Sequence, residues 1–99
     1  MGYAGEDGRA IGIVTEYYAR SKTEAQKPMK SEVKDDNGNI LSEAWSTTFT
    51  APNKGLPYLW NYEVSQYNDT DNTQAAATTP VIIAYYTEDG ANGRSIKNI

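Results

Sequence analysis

The 99-residue chain has no cysteine, no histidine and a single phenylalanine. Without cysteine there is neither a disulfide staple nor a thiol site. Without histidine the usual general base near neutral pH and the commonest metal ligand are both missing. The Ser-His-Asp arrangement cannot be built, although serine and threonine are plentiful. Positive charge is scarce too. Nine Lys and Arg against thirteen Asp and Glu leave a net charge of −4, which argues against a nucleic-acid partner, since that would call for a basic face. No apolar run approaches the ~20 residues of a membrane-spanning helix. The opening MGYAGEDG has neither the basic nor the apolar region of a secretion signal.

The remaining chemistry-bearing groups form no constellation. Glu16, Glu24, Glu32, Glu43, Glu63 and Glu88 are dispersed along the chain, whereas a glycoside hydrolase needs two carboxylates facing across a cleft. They read as solvated positions. The stretch GEDGRAIG lacks the Lys-Ser/Thr ending of a phosphate loop and precedes a strand. Asp69, Asp71 and Thr73 have the 1, 3, 5 spacing of an oxygen-ligand loop. Gln74 and Pro80, however, stand where a calcium-binding EF-hand needs glycine and glutamate, so the stretch reads as a hydrophilic hairpin loop. The expectation is a protein that is not an enzyme and holds no cofactor and no metal.

Tyrosine is what the chain has in excess: eight Tyr and two Trp. Aromatic and β-branched residues favour strands. The first strand reads AIGIVTEYYARS, with Ile11, Ile13, Thr15 and Tyr17 on one face and Gly12, Val14, Glu16 and Tyr18 on the other. Asp36-Asn37-Gly38-Asn39 signals a hairpin turn between strands at about 29–34 and 40–50. In YLWNYEVSQY, Tyr58, Trp60, Tyr62 and Val64 alternate onto a core face, with Leu59 the apolar exception on the other. NDTDNTQAAATT reads as a polar loop. PVIIAYY is the last strand, apolar on both faces near Ile82 and Ile83, and antiparallel to YLWNYEVSQY. Pro80 is tolerated at its start, before the ladder begins. Several strands with turn signals and no long helix predict an all-β, antiparallel β-sandwich, with a small barrel as the second closure.

Exposed aromatics could stack on the apolar faces of sugars, as other platforms stack on bases. Tyr18, Trp45, Tyr67 and Tyr86 fall outside the alternating core face and are the candidates for a ligand patch. The alternative is half-buried packing over the sheet rims.

The end of the chain repeats its beginning. GRAIGIV starts at Gly8 and GRSIKNI at Gly93, and Gly8, Arg9 and Ile11 match Gly93, Arg94 and Ile96 at one constant offset. Gly5 and Gly8 share their spacing with Gly90 and Gly93. Such a frame predicts one unit of a tandem array: a Gly-rich linker at 1–8, a domain at 9–89, and a linker with the start of the next unit at 90–99. Gly2, Gly5, Gly8, Gly90 and Gly93 have the period a collagen triple helix requires, and so are the assembly and linker candidates.

TEYYA, Trp45-Ser46-Thr47-Thr48, YLWNYE, Pro80-Val81-Ile82-Ile83 and the Gly-x-x-Gly exit together resemble the repeat domain of phage and prophage tail-fibre or minor tail structural proteins, over roughly residues 5–96. YLWNYE is the most specific piece. The chain departs from that pattern in its longer middle, EAQKPMKSEVKDDNGNILSEA. The resemblance implies a fibronectin type III or immunoglobulin-like sandwich placed between collagen-like Gly-X-Y segments in a virion tail. It implies neighbouring repeats as partners, a homotrimer in the full fibre, and a role as spacer or as an adhesion module for a host-surface glycan. It supplies no catalytic residue.

Overall fold

The computed structural model describes residues 10–88 and the backbone of residues 97–98. Two long strands organise it. β1 (Ile11–Ser21) and β4 (Tyr58–Tyr67) pair antiparallel from Ser21 opposite Tyr58 to Ile11 opposite Tyr67. Directly opposed residues share a face. Thus Tyr17 and Tyr62, Ala19 and Trp60, and Ser21 and Tyr58 occupy one face. Tyr18 and Asn61, and Arg20 and Leu59, occupy the other. Trp60 is buried on the expected core face, but Tyr58, Tyr62 and Val64 are only half-buried there, and Leu59 on the other face is buried more deeply than Trp60. The pairing is interrupted once, by a bulge at Gly12. A Cβ there would lie 2.7 Å from Asn68 Cβ and 2.9 Å from Asn68 Cα, so only glycine lets the strand pass the Asn68 backbone this closely.

The other edge of β4 is divided between two strands. β6 (Val81–Tyr85) takes the first half and β5 (Gln74–Ala77) takes the second. Thr78 spans the change-over: its N–H donates to Glu63 O and its Oγ1 accepts from Glu63 N–H, both at 2.9 Å. The stretch expected to be a wholly polar loop thus contains a strand. Small alanines at 75–77 let it lie against β4, and a tight turn at 68–73 reverses the chain. Asn72 adopts φ 50° in that turn, and Asp69 Oδ1 accepts from Thr73 N–H at 3.0 Å.

On the far side of β1, β2 (Val33–Lys34) and β3 (Ile40–Ser42) form the expected hairpin with shorter strands than the sequence suggested. Asp35 holds its turn, accepting from Asn37 and Asn39 N–H through Oδ1 at 2.8 and 2.9 Å, while Gly38 takes φ 85°. These bonds, first that from Asn39, keep the Asp35 carboxyl below the usual carboxylate range. The order is β2-β3-β1-β4-β6-β7, where β7 is Lys97–Asn98, with β5 also on β4, in one antiparallel sheet.

The described strands form one antiparallel sheet, in which β4 accepts partners along both edges and gathers every long strand beside itself; the second sheet expected of a sandwich is not seen among the described residues. Loops cover the faces instead. On the Trp60 face, Trp60 Nε1 donates to Ser21 Oγ, which donates to Thr23 O, both at 2.8 Å. On the opposite face the loop at 47–57 crosses β1 and β4. Arg20 Nη1 reaches Ala51 O at 3.0 Å, Phe49 meets Tyr18 edge-on, and Leu59 is 1% exposed beneath. The stretch 90–99, expected to be a linker and the start of a next unit, contributes two described residues to the sheet. Lys97 and Asn98 form β7 (Lys97–Asn98), which pairs antiparallel with β6 through Tyr85 opposite Lys97 and Ala84 opposite Asn98. The sheet therefore continues past residue 89. Gly2, Gly5, Gly8, Gly90 and Gly93 lie outside the described residues.

Candidate functional site

The four aromatics singled out from the sequence do not meet. Tyr18 is half-buried on the Leu59 face against Phe49, with ring centroids 5.6 Å apart and planes at 87°. Trp45 lies on the opposite face. Tyr67 is buried as the last residue of β4, its N–H donating to Thr73 O at 2.8 Å. Tyr86 sits at the other end of β4, its N–H donating to Pro57 O at 2.7 Å. The four are spread over both faces and both ends of the sheet.

A different trio assembles around Trp45. Tyr17 and Tyr62, opposed across β1 and β4, stack with centroids 5.0 Å apart and planes at 17°. The Trp45 ring meets Tyr62 edge-on at 4.7 Å and 81°. All three are half-buried. Burial, and then the neighbouring Tyr17, push the Tyr62 phenol above its ordinary pKa, so its hydroxyl stays neutral through the physiological range. Offset and edge-on pairs of this kind are favourable beyond the area they bury. Their outward surfaces form a rigid aromatic platform able to stack on a planar or ring-shaped apolar surface. Tyr58 and Tyr85, also opposed on this face, continue the aromatic character at 6.3 Å. The sequence held one signal for the trio, the alternation in TEYY and YLWNYE. What brings Tyr17 opposite Tyr62 is the register, which is not a local property.

Trp45 reaches this face through a bulge. Ser42 stands opposite Ser21 and Ser46 opposite Tyr18, so the second chain uses one residue more than β1 does. Tyr18 N–H donates to Ser46 O at 2.7 Å, and Glu43 N–H donates to Arg20 O at 2.9 Å. The bulge leaves Arg20 N–H without a backbone acceptor, and Glu43 Oε1 takes its place at 2.9 Å. The same carboxylate binds the Arg20 guanidinium twice, Nε to Oε1 at 3.0 Å and Nη2 to Oε2 at 2.6 Å. The guanidinium hydrogen bonds hold the Glu43 carboxyl below the usual range and raise Arg20 further. A cleft of about 210 Å³ opens beside this clasp, lined by Tyr18, Ser46, Thr48 and Thr50 among others. Both Glu43 oxygens and one N–H on each of Arg20 Nε, Nη1 and Nη2 are engaged, and the cleft adds the hydroxyls of Ser46, Thr48 and Thr50 and the Glu32 carboxylate.

Among the described residues no three acidic side chains gather in a way that could hold a metal ion, and no helix is long and apolar enough to cross a membrane. No family model, curated protein or solved structure matches the chain.

Proposed function

We propose that the chain is a non-catalytic structural repeat unit of a phage or prophage tail fibre, situated in the virion tail with neighbouring repeats of the same parent as its partners. The observation that supports this most directly is β7. Lys97 and Asn98 stand at the positions of Gly12 and Ile13 in the repeated block, and they pair with β6 at the edge of the sheet. The residues that would open a following unit are thus joined to this one by backbone hydrogen bonding. The glycine frame at 2–8 and 90–93 fits Gly-X-Y segments, which gain stability only when three chains wind together. A homotrimer in the full fibre follows from that. The fibronectin type III or immunoglobulin-like sandwich implied by the sequence resemblance then belongs to the assembled fibre, where a neighbouring chain would lay its sheet over the Tyr17, Trp45 and Tyr62 face.

The test is location. An antibody raised against the chain should decorate the tails of particles released by its source bacterium when viewed by immuno-electron microscopy. Label confined to the cell would overturn the reading.

One feature favours a second reading, an adhesion module for a host-surface glycan. Tyr17, Tyr62 and Trp45 present a half-buried aromatic platform, the surface on which sugar rings stack. A glycan array probed with the single chain, and with Trp45→Ala and Tyr62→Ala, tests it. Binding lost in both variants supports adhesion. An array without binding leaves the spacer reading alone.

A further inference from the structure

The sheet has two unfinished edges whose lengths correspond. Tyr18 and Arg20 direct their backbone groups toward the β3 side of β1, as their hydrogen bonds to Ser46 and Glu43 show. Backbone direction alternates every second residue along a strand, and the β1–β4 register runs unbroken from Ile13 to Ser21. Val14 and Glu16 therefore direct their N–H and C=O groups to that same side. Among the described residues no strand pairs with β1 there. Among the described residues the outer edge of β6 is likewise engaged only at Ala84 and Tyr85, by β7. The two edges carry exposed apolar residues: Val14 is 49% exposed, Ile13 40% and Val81 53%. A bare edge with exposed apolar side chains is a template for another strand, and natural proteins normally protect one.

We propose that successive units join by strand addition, β6 of one unit pairing antiparallel with the first half of β1 of the next, so that one sheet runs through the array. This rests on the repeat reading above. β7 is the joint seen in miniature. Tyr85 opposite Lys97 and Ala84 opposite Asn98 give its register. Lys97 and Asn98 correspond to Gly12 and Ile13 of the following unit. Continuing in the same direction brings Val81, Ile82 and Ile83 alongside residues 14–16 of that unit. There the pairing ends on both sides: Pro80 precedes β6, and from Tyr18 onward Ser46 and β3 already occupy the β1 edge. The partner surfaces differ, β6 on one unit and β1 on the other. The contact is head-to-tail and does not close, which is the geometry of a filament.

The test is a two-unit chain in which residues 8–99 follow residue 92, preserving the glycine frame. Amide hydrogen exchange should be at least about 100-fold slower at Val14 and Glu16 of the second unit than of the first, whose edge has no neighbour. The pair should melt in one transition above that of the single chain. Val14→Pro removes an N–H that faces away from β4. Placed in the second unit it should split the melt into two and abolish the exchange difference. Placed in the first unit it reports only the cost of proline to β1 and should leave the joint intact. Equal exchange in both units, with Val14→Pro acting alike in either, would overturn the continuous sheet while leaving independent beads on a fibre. If one unit of the pair fails to form its sheet at all, the repeat reading fails and this inference falls with it.

Discussion

The bond between Trp60 and Ser21 offers the sharpest check on the core. Trp60 is 8% exposed and Ser21 fully buried, and the indole N–H donates to the hydroxyl at 2.8 Å. The hydroxyl in turn donates a hydrogen bond to Thr23 O at 2.8 Å, tying β1 to the loop that follows. Ser21→Ala leaves a buried indole N–H without an acceptor, at a cost of about 1–3 kcal/mol. Trp60→Phe removes the donor and some packing, for about 2–3 kcal/mol, while Ser21 keeps its bond to Thr23. In the double variant no orphaned donor remains. Its loss should fall short of the sum by about 1 kcal/mol, a coupling expected only of groups in contact. Urea melts of the four proteins followed by far-ultraviolet circular dichroism measure this, because Trp45 confuses a fluorescence signal. Thermal midpoints should echo it at about 4–8 °C per kcal/mol for a chain of this size. Losses that add to within about 0.3 kcal/mol would show that the two groups do not share a bond. The assignment of Trp60 to the Ser21 face would then be refuted.

Glu43→Ala should cost about 2 kcal/mol, because it leaves the Arg20 N–H at the bulge without its acceptor, while Glu43→Gln, which keeps a carbonyl oxygen there, should cost less in the same melts. The folded Glu43 carboxyl titrates below its unfolded value. Its stabilisation is therefore complete above about pH 4.3 and lost as pH falls through the lower folded value, so Glu43→Gln should show a shallower acid loss than the parent. Gly12→Ala should destabilise by about 1–3 kcal/mol by forcing Asn68 away from the bulge; a neutral effect in thermal melts would mean that the two strands part there without strain. Ser42 Oγ is buried with no partner among the described residues. Ser42→Ala should therefore be neutral or stabilise by up to about 1 kcal/mol, and a clear loss would reveal a bond to that hydroxyl.

The sequence by itself determined the parts that depend on neighbours along the chain. Period-two alternation marked β1 and β4 and gave Trp60 its face, while β6 was marked by an apolar run on both faces. Asn37 and Gly38 marked the hairpin turn, because glycine accepts the positive φ such a turn needs, while the capping Asp35 carboxylate emerged only in the structure. Absent cysteine and histidine removed whole classes of chemistry without reference to any fold. Only the tertiary structure decided how distant strands meet. Gln74–Ala77 has no strand pattern of its own and becomes β5 because half of the β4 edge stands open beside it. Tyr18 and Trp45 part company because one extra residue between Ser42 and Ser46 reverses which face the chain presents. Tyr17 meets Tyr62 through a register fixed over the whole length of β1 and β4. Leu59, an exception on a polar face in the sequence, is only 1% exposed because the loop at 47–57 folds over it. Alternation is local and survives in a linear string. Register, bulges and loop cover arise from contacts between residues far apart in that string, so they exist only once the chain has folded.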